Sequence, residues 1–72
     1  MSTWPSSKAT RVYRALLRIG WNPKSQKGPG SHVRLQREGW PDYTWAWHES
    51  DELGPVAMKR LAKHTGLIPE DL

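Results

Sequence analysis

The fold turns on two short stretches, His32-Val33-Arg34-Leu35-Gln36-Arg37 and Tyr43-Thr44-Trp45-Ala46-Trp47-His48. In the first, Val33 and Leu35 point one way while His32, Arg34 and Gln36 point the other, the two-residue period of a strand with one buried face. In the second, Tyr43, Trp45 and Trp47 alternate with Thr44, Ala46 and His48, so this strand carries an aromatic face. Between them, Glu38-Gly39-Trp40-Pro41-Asp42 combines glycine and proline and reads as a hairpin connection. The result is an antiparallel sheet packed on one side and open on the other.

Working outward, a helix is expected on each flank. On the N-terminal side Ser6 or Ser7 is a candidate N-cap. Val12, Ala15, Leu16 and Ile19 then recur at helical spacing as one apolar stripe, with Arg11, Arg14 and Arg18 mainly off it. Gly20 followed by Trp21 has the form of a glycine C-terminal cap and its hydrophobic partner. On the C-terminal side Gly54-Pro55 opens a second helix with proline near its first position. Met58, Leu61, Ala62 and Thr65 form its buried stripe, and Lys59, Arg60, Lys63 and His64 form a basic outer face. Gly66-Leu67 repeats the glycine-plus-hydrophobe ending, and Pro69 stops the helix. The segment from Asn22 to Gly30, rich in Pro, Gly, Lys and Ser, has room for a short first strand and then a glycine turn. The order is helix, two or three short antiparallel strands, helix: an α+β class with both helices over one face of a small sheet.

A chain of 72 residues makes one domain, here expected over residues 1–72 with 1–5 as a loose leader and 68–72 as a tail. Trp4 is the leader residue able to fold back onto the domain. There is no cysteine, so neither disulfides nor thiolate-bound zinc supplement the core. Five tryptophans and two tyrosines meet that need, because each buries a large area at low entropic cost. Eleven Lys and Arg against seven acids leave a formal charge of +4, which favours a polyanionic partner without identifying one. No apolar run reaches membrane-spanning length and the N-terminus lacks a signal-peptide core, so the expected setting is cytoplasmic with no membrane partner.

Three histidines are candidates for chemistry. His64 sits in the last turn of a helix, where the dipole favours a cation. His48 ends the aromatic strand as a polar terminus. His32 follows Lys27-Gly28-Pro29-Gly30-Ser31, a tight segment suited to presenting backbone N–H groups to an anion, and it opens a strand on the face away from Val33 and Leu35. Scission of RNA through the ribose 2′-OH needs a base near pH 7, an acid for the leaving oxygen and cations for the charge on phosphorus. Histidine suits the first two tasks. Lys24, Lys27 and Arg34 lie close enough in sequence to supply the third. No Walker loop, dinucleotide fingerprint or HExxH motif is present. The acids Asp42, Glu49, Asp51, Glu52, Glu70 and Asp71 have no metal-cage spacing, so no metal or other cofactor is expected.

Taken in order, the helix ending Gly20-Trp21, the Gly30-Ser31-His32 turn, the strand finishing in His48, Glu52-Leu53 before the second helix, and Lys59 to Leu67 at its close resemble the HicA mRNA interferase toxins. The similarity runs from about Lys8 to Leu67 and rests on order and spacing, since Gly-Ser-His alone is common. The resemblance implies a double-stranded-RNA-binding-like α-β-β-β-α fold and metal-independent endoribonuclease cleavage of single-stranded mRNA. It makes His32 the catalytic general acid/base. It also implies a HicB-type antitoxin partner that covers the active surface. Lys24, Lys27, Ser31, Arg34, His48, Lys59, Arg60 and Lys63 are the candidate RNA contacts. Pro29 makes the turn longer than the compact Lys-Gly-Ser-His common in that family. Val56-Ala57 stands where Gly-Thr is frequent, and Asp51 where lysine is. Two other functions fit the same residues: a non-catalytic double-stranded-RNA-binding module, and an interaction protein whose tryptophans, Trp4 or Trp40, form a binding patch.

Overall fold

The computed structural model describes residues 4–25 and 33–72. Among them the order is β1 (Ser7–Lys8), α1 (Ala9–Arg18), β2 (Asn22–Ser25), β3 (Val33–Arg37), β4 (Trp40–Trp45), β5 (Glu52–Leu53) and α2 (Pro55–Thr65), followed by a single 3₁₀ turn at Pro69–Asp71. The α-β-β-β-α order that the resemblance implies, the three-strand form of the order read from the pattern, is therefore present, with the two-residue β1–β5 ladder in addition. β2, β3 and β4 form an antiparallel sheet in that order, and β1 pairs antiparallel with β5.

That ladder corrects the expected start of the first helix. Ser7 pairs with Leu53 and Lys8 with Glu52, so Ser7 belongs to a strand and Lys8 is the N-cap, with no side-chain cap. The Ala9 N–H donates to the Asp51 carbonyl at 2.9 Å, which satisfies one of the donors a serine cap would have served. Here a tertiary contact replaces local capping. The far end of α1 follows the sequence: the Trp21 N–H donates to Leu16 and the Gly20 N–H to Leu17, the paired bonds of a Schellman ending.

The connection between β3 and β4 is shorter than expected. Only Glu38 and Gly39 form the turn, and Trp40, Pro41 and Asp42 are already strand. Gly39 takes φ 85°, a left-handed conformation that favours glycine. Leu35 pairs with Tyr43 but Arg37 with Trp40, a register shift of the kind a bulge beside such a glycine produces. The shift also re-aims Trp40. Strict alternation from Tyr43 would send it to the open face, yet its ring meets buried Trp21 edge-on at 6.2 Å, with the Arg37 guanidinium 5.4 Å from its centroid. Strand β4 then ends at Trp45, so Trp47 and His48 lie beyond it.

One core joins these elements. Val12, Ala15 and Leu16 of α1, Leu35 and Trp45 of the sheet, Leu53, and Met58 and Leu61 of α2 are buried together with Trp4, Trp21 and Leu67. Each expected member of the α1 stripe is buried except Ile19, which packs half-buried against the rest, as does Ala62 on α2. Trp21 is the largest fully buried side chain. Its indole N–H donates to the Thr65 carbonyl at 3.0 Å, tying the end of α1 to the last turn of α2. The Thr65 hydroxyl donates back to Leu61 at 2.8 Å, so no polar atom is stranded there. After α2, the Ile68 N–H donates to the Asp71 carboxylate at 3.1 Å, and the Arg18 guanidinium donates to the Asp71 carbonyl. Among the described residues, no helix is long and apolar enough to cross a membrane.

Candidate nucleic-acid interface

The expected contact residues divide between two surfaces. On the sheet, Leu35 is buried while Arg34 and Gln36 are exposed, so β3 turns Arg34 to the open face. Arg34 pairs with Thr44 across the ladder. Lys24 reaches across from β2 to the Asp42 carboxylate of β4, 3.4 Å away. Both partners are exposed, so this pair contributes little stability, but it holds an acid among the cations of that face. On the helix layer, Lys59, Arg60 and Lys63 are exposed along α2. Arg34 thus lies on the sheet face away from buried Leu35, whereas these three lie on a helix.

His48 belongs to neither set. Its backbone N–H donates to the Asp51 carboxylate at 2.8 Å, and its carbonyl accepts from the Asp51 N–H at 3.0 Å. Asp51, which stands where the resembled family often has lysine, thus closes the loop between β4 and β5. Lys27, Ser31 and His32 lie outside the described residues, as does the whole turn 27–32. The next residue in sequence after His32, Val33, pairs with Trp45 in the three-stranded sheet. Among the described residues, no three His, Cys, Asp or Glu side chains gather as a metal-binding group.

A second feature escaped the sequence reading. Tyr43, Trp47, Val56, Ala57, Arg60, Leu61 and His64 line an open groove of about 360 Å³ beside α2. The Tyr43 and His64 rings stack nearly parallel, with centroids 6.3 Å apart and planes at 23°. Tyr43 and Trp47 share a side-chain hydrogen bond, in which the indole N–H is the donor. Burial raises the Tyr43 phenol above its ordinary ionisation range, and that hydrogen bond offsets part of the rise. The signal available in sequence was the spacing Val56, Ala57, Arg60, Leu61, His64, a helical stripe adjoining the buried one. Read alone, it merged with the basic outer face.

The arrangement defines a class: a small double-stranded-RNA-binding-like α+β domain with exposed cations on both of its layers. Its family is narrower still. Residues 9–67 match the model of the HicA toxin of bacterial toxin-antitoxin systems, and the chain belongs to that family. The match covers α1 through the end of α2 and includes the position of His32. No curated protein and no solved structure matches the chain.

Proposed function

We propose that this toxin-family chain is an endoribonuclease that cleaves single-stranded mRNA in the cytoplasm without a metal, with His32 as general acid/base. A HicB-type antitoxin is its proposed neutralising partner. The observation that carries the reading is the family match across residues 9–67, which spans the Gly30-Ser31-His32 sequence and the strand that follows it. In the proposed reaction a base removes the proton of a ribose 2′-OH. That oxygen attacks the adjacent phosphorus, and the P–O5′ bond breaks. The products are a 2′,3′-cyclic phosphate and a 5′-hydroxyl that has taken up a proton. Cations stabilise the charge that builds on the phosphoryl oxygens. Alternation along β3 sets Arg34 on the face where the two-residue period directs His32, which makes Arg34 the first candidate for that task. One positioned acid or base contributes about 10²- to 10⁴-fold in rate.

The test is cleavage of a single-stranded RNA in the presence of EDTA. Wild-type protein is expected to cut it, and His32→Ala to fold, bind RNA and lose at least about a hundredfold in rate, the low end for one acid or base. Equal cutting by both proteins defeats the role of His32. Binding without cutting by the wild type favours a non-catalytic RNA-binding module.

A further inference from the structure

The groove beside α2 is unused by the reading above. It is lined by the rings of Tyr43, Trp47 and His64, by the aliphatic side chains of Val56, Ala57 and Leu61, and by Arg60, which supplies a guanidinium. It has a cation and three ring systems and no acid among its lining residues. Lys59 and Lys63 are exposed on the same helix. A nucleotide has the complementary character, a flat aromatic base carrying an anion. The size also agrees, since pockets that bury small ligands start at roughly 300 Å³. Val56, 68 % exposed at the helix start, is a large apolar side chain left in water on the rim.

Position adds a second argument. Tyr43 sits two residues before Trp45 and Trp47 two after it, and Trp45 is the partner of Val33. The groove therefore adjoins the end of the β3–β4 ladder formed by Val33, the residue after His32 in sequence, and Trp45. We infer that this groove is a base-binding subsite, which takes one unstacked base of single-stranded RNA against the rings of Tyr43, Trp47 and His64 while Arg60 meets its phosphate. The inference rests on the ribonuclease reading and names how that activity would choose its position on RNA. Stacking of this kind tolerates any base and contributes about 1–3 kcal/mol per base, so the subsite fixes the strand's path before it fixes a sequence.

The experiment uses full-length His32→Ala protein labelled with ¹⁵N, so that RNA stays intact, titrated with adenosine 5′-monophosphate and with a single-stranded tetranucleotide. The expected result is movement of the Trp47 indole N–H and of the Ala57, Arg60 and His64 amides. Val56→Glu is expected to weaken binding about tenfold or more. Val56 is well exposed, and an acid in the first turn of a helix suits the dipole, so this variant should fold. Shifts confined to Lys24, Arg34 and their neighbours, with Val56→Glu binding as tightly as its parent, overturn the subsite while leaving RNA binding intact. Shifts in the groove on adding a protein antitoxin, with none on adding nucleotide or RNA, overturn it as well. Nucleotide binding in the groove by a wild-type protein that cuts no RNA upholds the subsite and defeats the ribonuclease reading, so the two failures are separable.

Discussion

Gly66 ends α2 in the left-handed conformation, with φ 76° and ψ 10°. Its N–H donates to the Ala62 carbonyl at 2.8 Å. A Cβ built there would stand 2.9 and 3.0 Å from Cη2 and Cζ2 of the Trp40 ring. Gly39, at φ 85°, has open space where its Cβ would go. Alanine at either position carries the left-handed strain of about 1–2 kcal/mol. At Gly66 it also pushes the far end of the Trp40 ring away. That ring then loses part of its edge contact with Trp21, a type of pairing worth about 0.5–1.5 kcal/mol. It also loses part of the Arg37 contact, worth about 0.5–1 kcal/mol at an exposed site. We expect Gly66→Ala to cost about 2–4 kcal/mol and Gly39→Ala about 1–2 kcal/mol. Urea unfolding followed by tryptophan fluorescence reads both, and each kcal/mol should lower the melting temperature by about 4–8 °C in a domain of this size. In a Trp40→Ala background the Gly66→Ala cost should fall to the strain alone. Equal losses at Gly66 and Gly39, or no relief from removing Trp40, would refute the packing of Trp40 on the end of α2.

Two other outcomes follow from named contacts. Trp21→Phe removes the indole N–H that serves the buried Thr65 carbonyl and leaves part of the core unfilled. It should cost about 2–4 kcal/mol, measured by the same unfolding curve, and an unchanged midpoint would show that this bond does not tie the two helix ends. Tyr43 gives the chain an alkaline sensitivity. Burial disfavours the phenolate in the folded chain, so the unfolded phenol, with its ordinary pKa near 10, releases its proton first as pH rises. Stability should therefore fall above about pH 10 in the wild type and fall less in Tyr43→Phe. Parallel pH profiles for the two proteins would remove Tyr43 as the cause.

Local chemistry alone determined much of this protein. The helical stripe Val12, Ala15, Leu16 and the glycine endings at Gly20 and Gly66 are visible because helices and their caps are written in residues a few positions apart. The alternation of Val33 and Leu35 against Arg34 and Gln36 is equally local, and it set the open face of the sheet correctly. The family, too, was legible in the order of these features, and the match over residues 9–67 agrees with it. What only the tertiary structure decided are the contacts between distant residues. Ser7 looked like a helix cap until Leu53 was seen to pair with it. Trp40 looked like part of a loop because nothing local predicts the one-residue bulge that turns it toward Trp21. The cations of β3 and α2 were candidate contacts for one RNA, and only packing shows that they belong to different layers. The groove belongs to the same group: Tyr43 and His64 are far apart in sequence, and only the docking of α2 beside β4 stacks one ring on the other. Periodicity shows which face a residue takes on its own element, whereas burial of the shared core decides which faces meet.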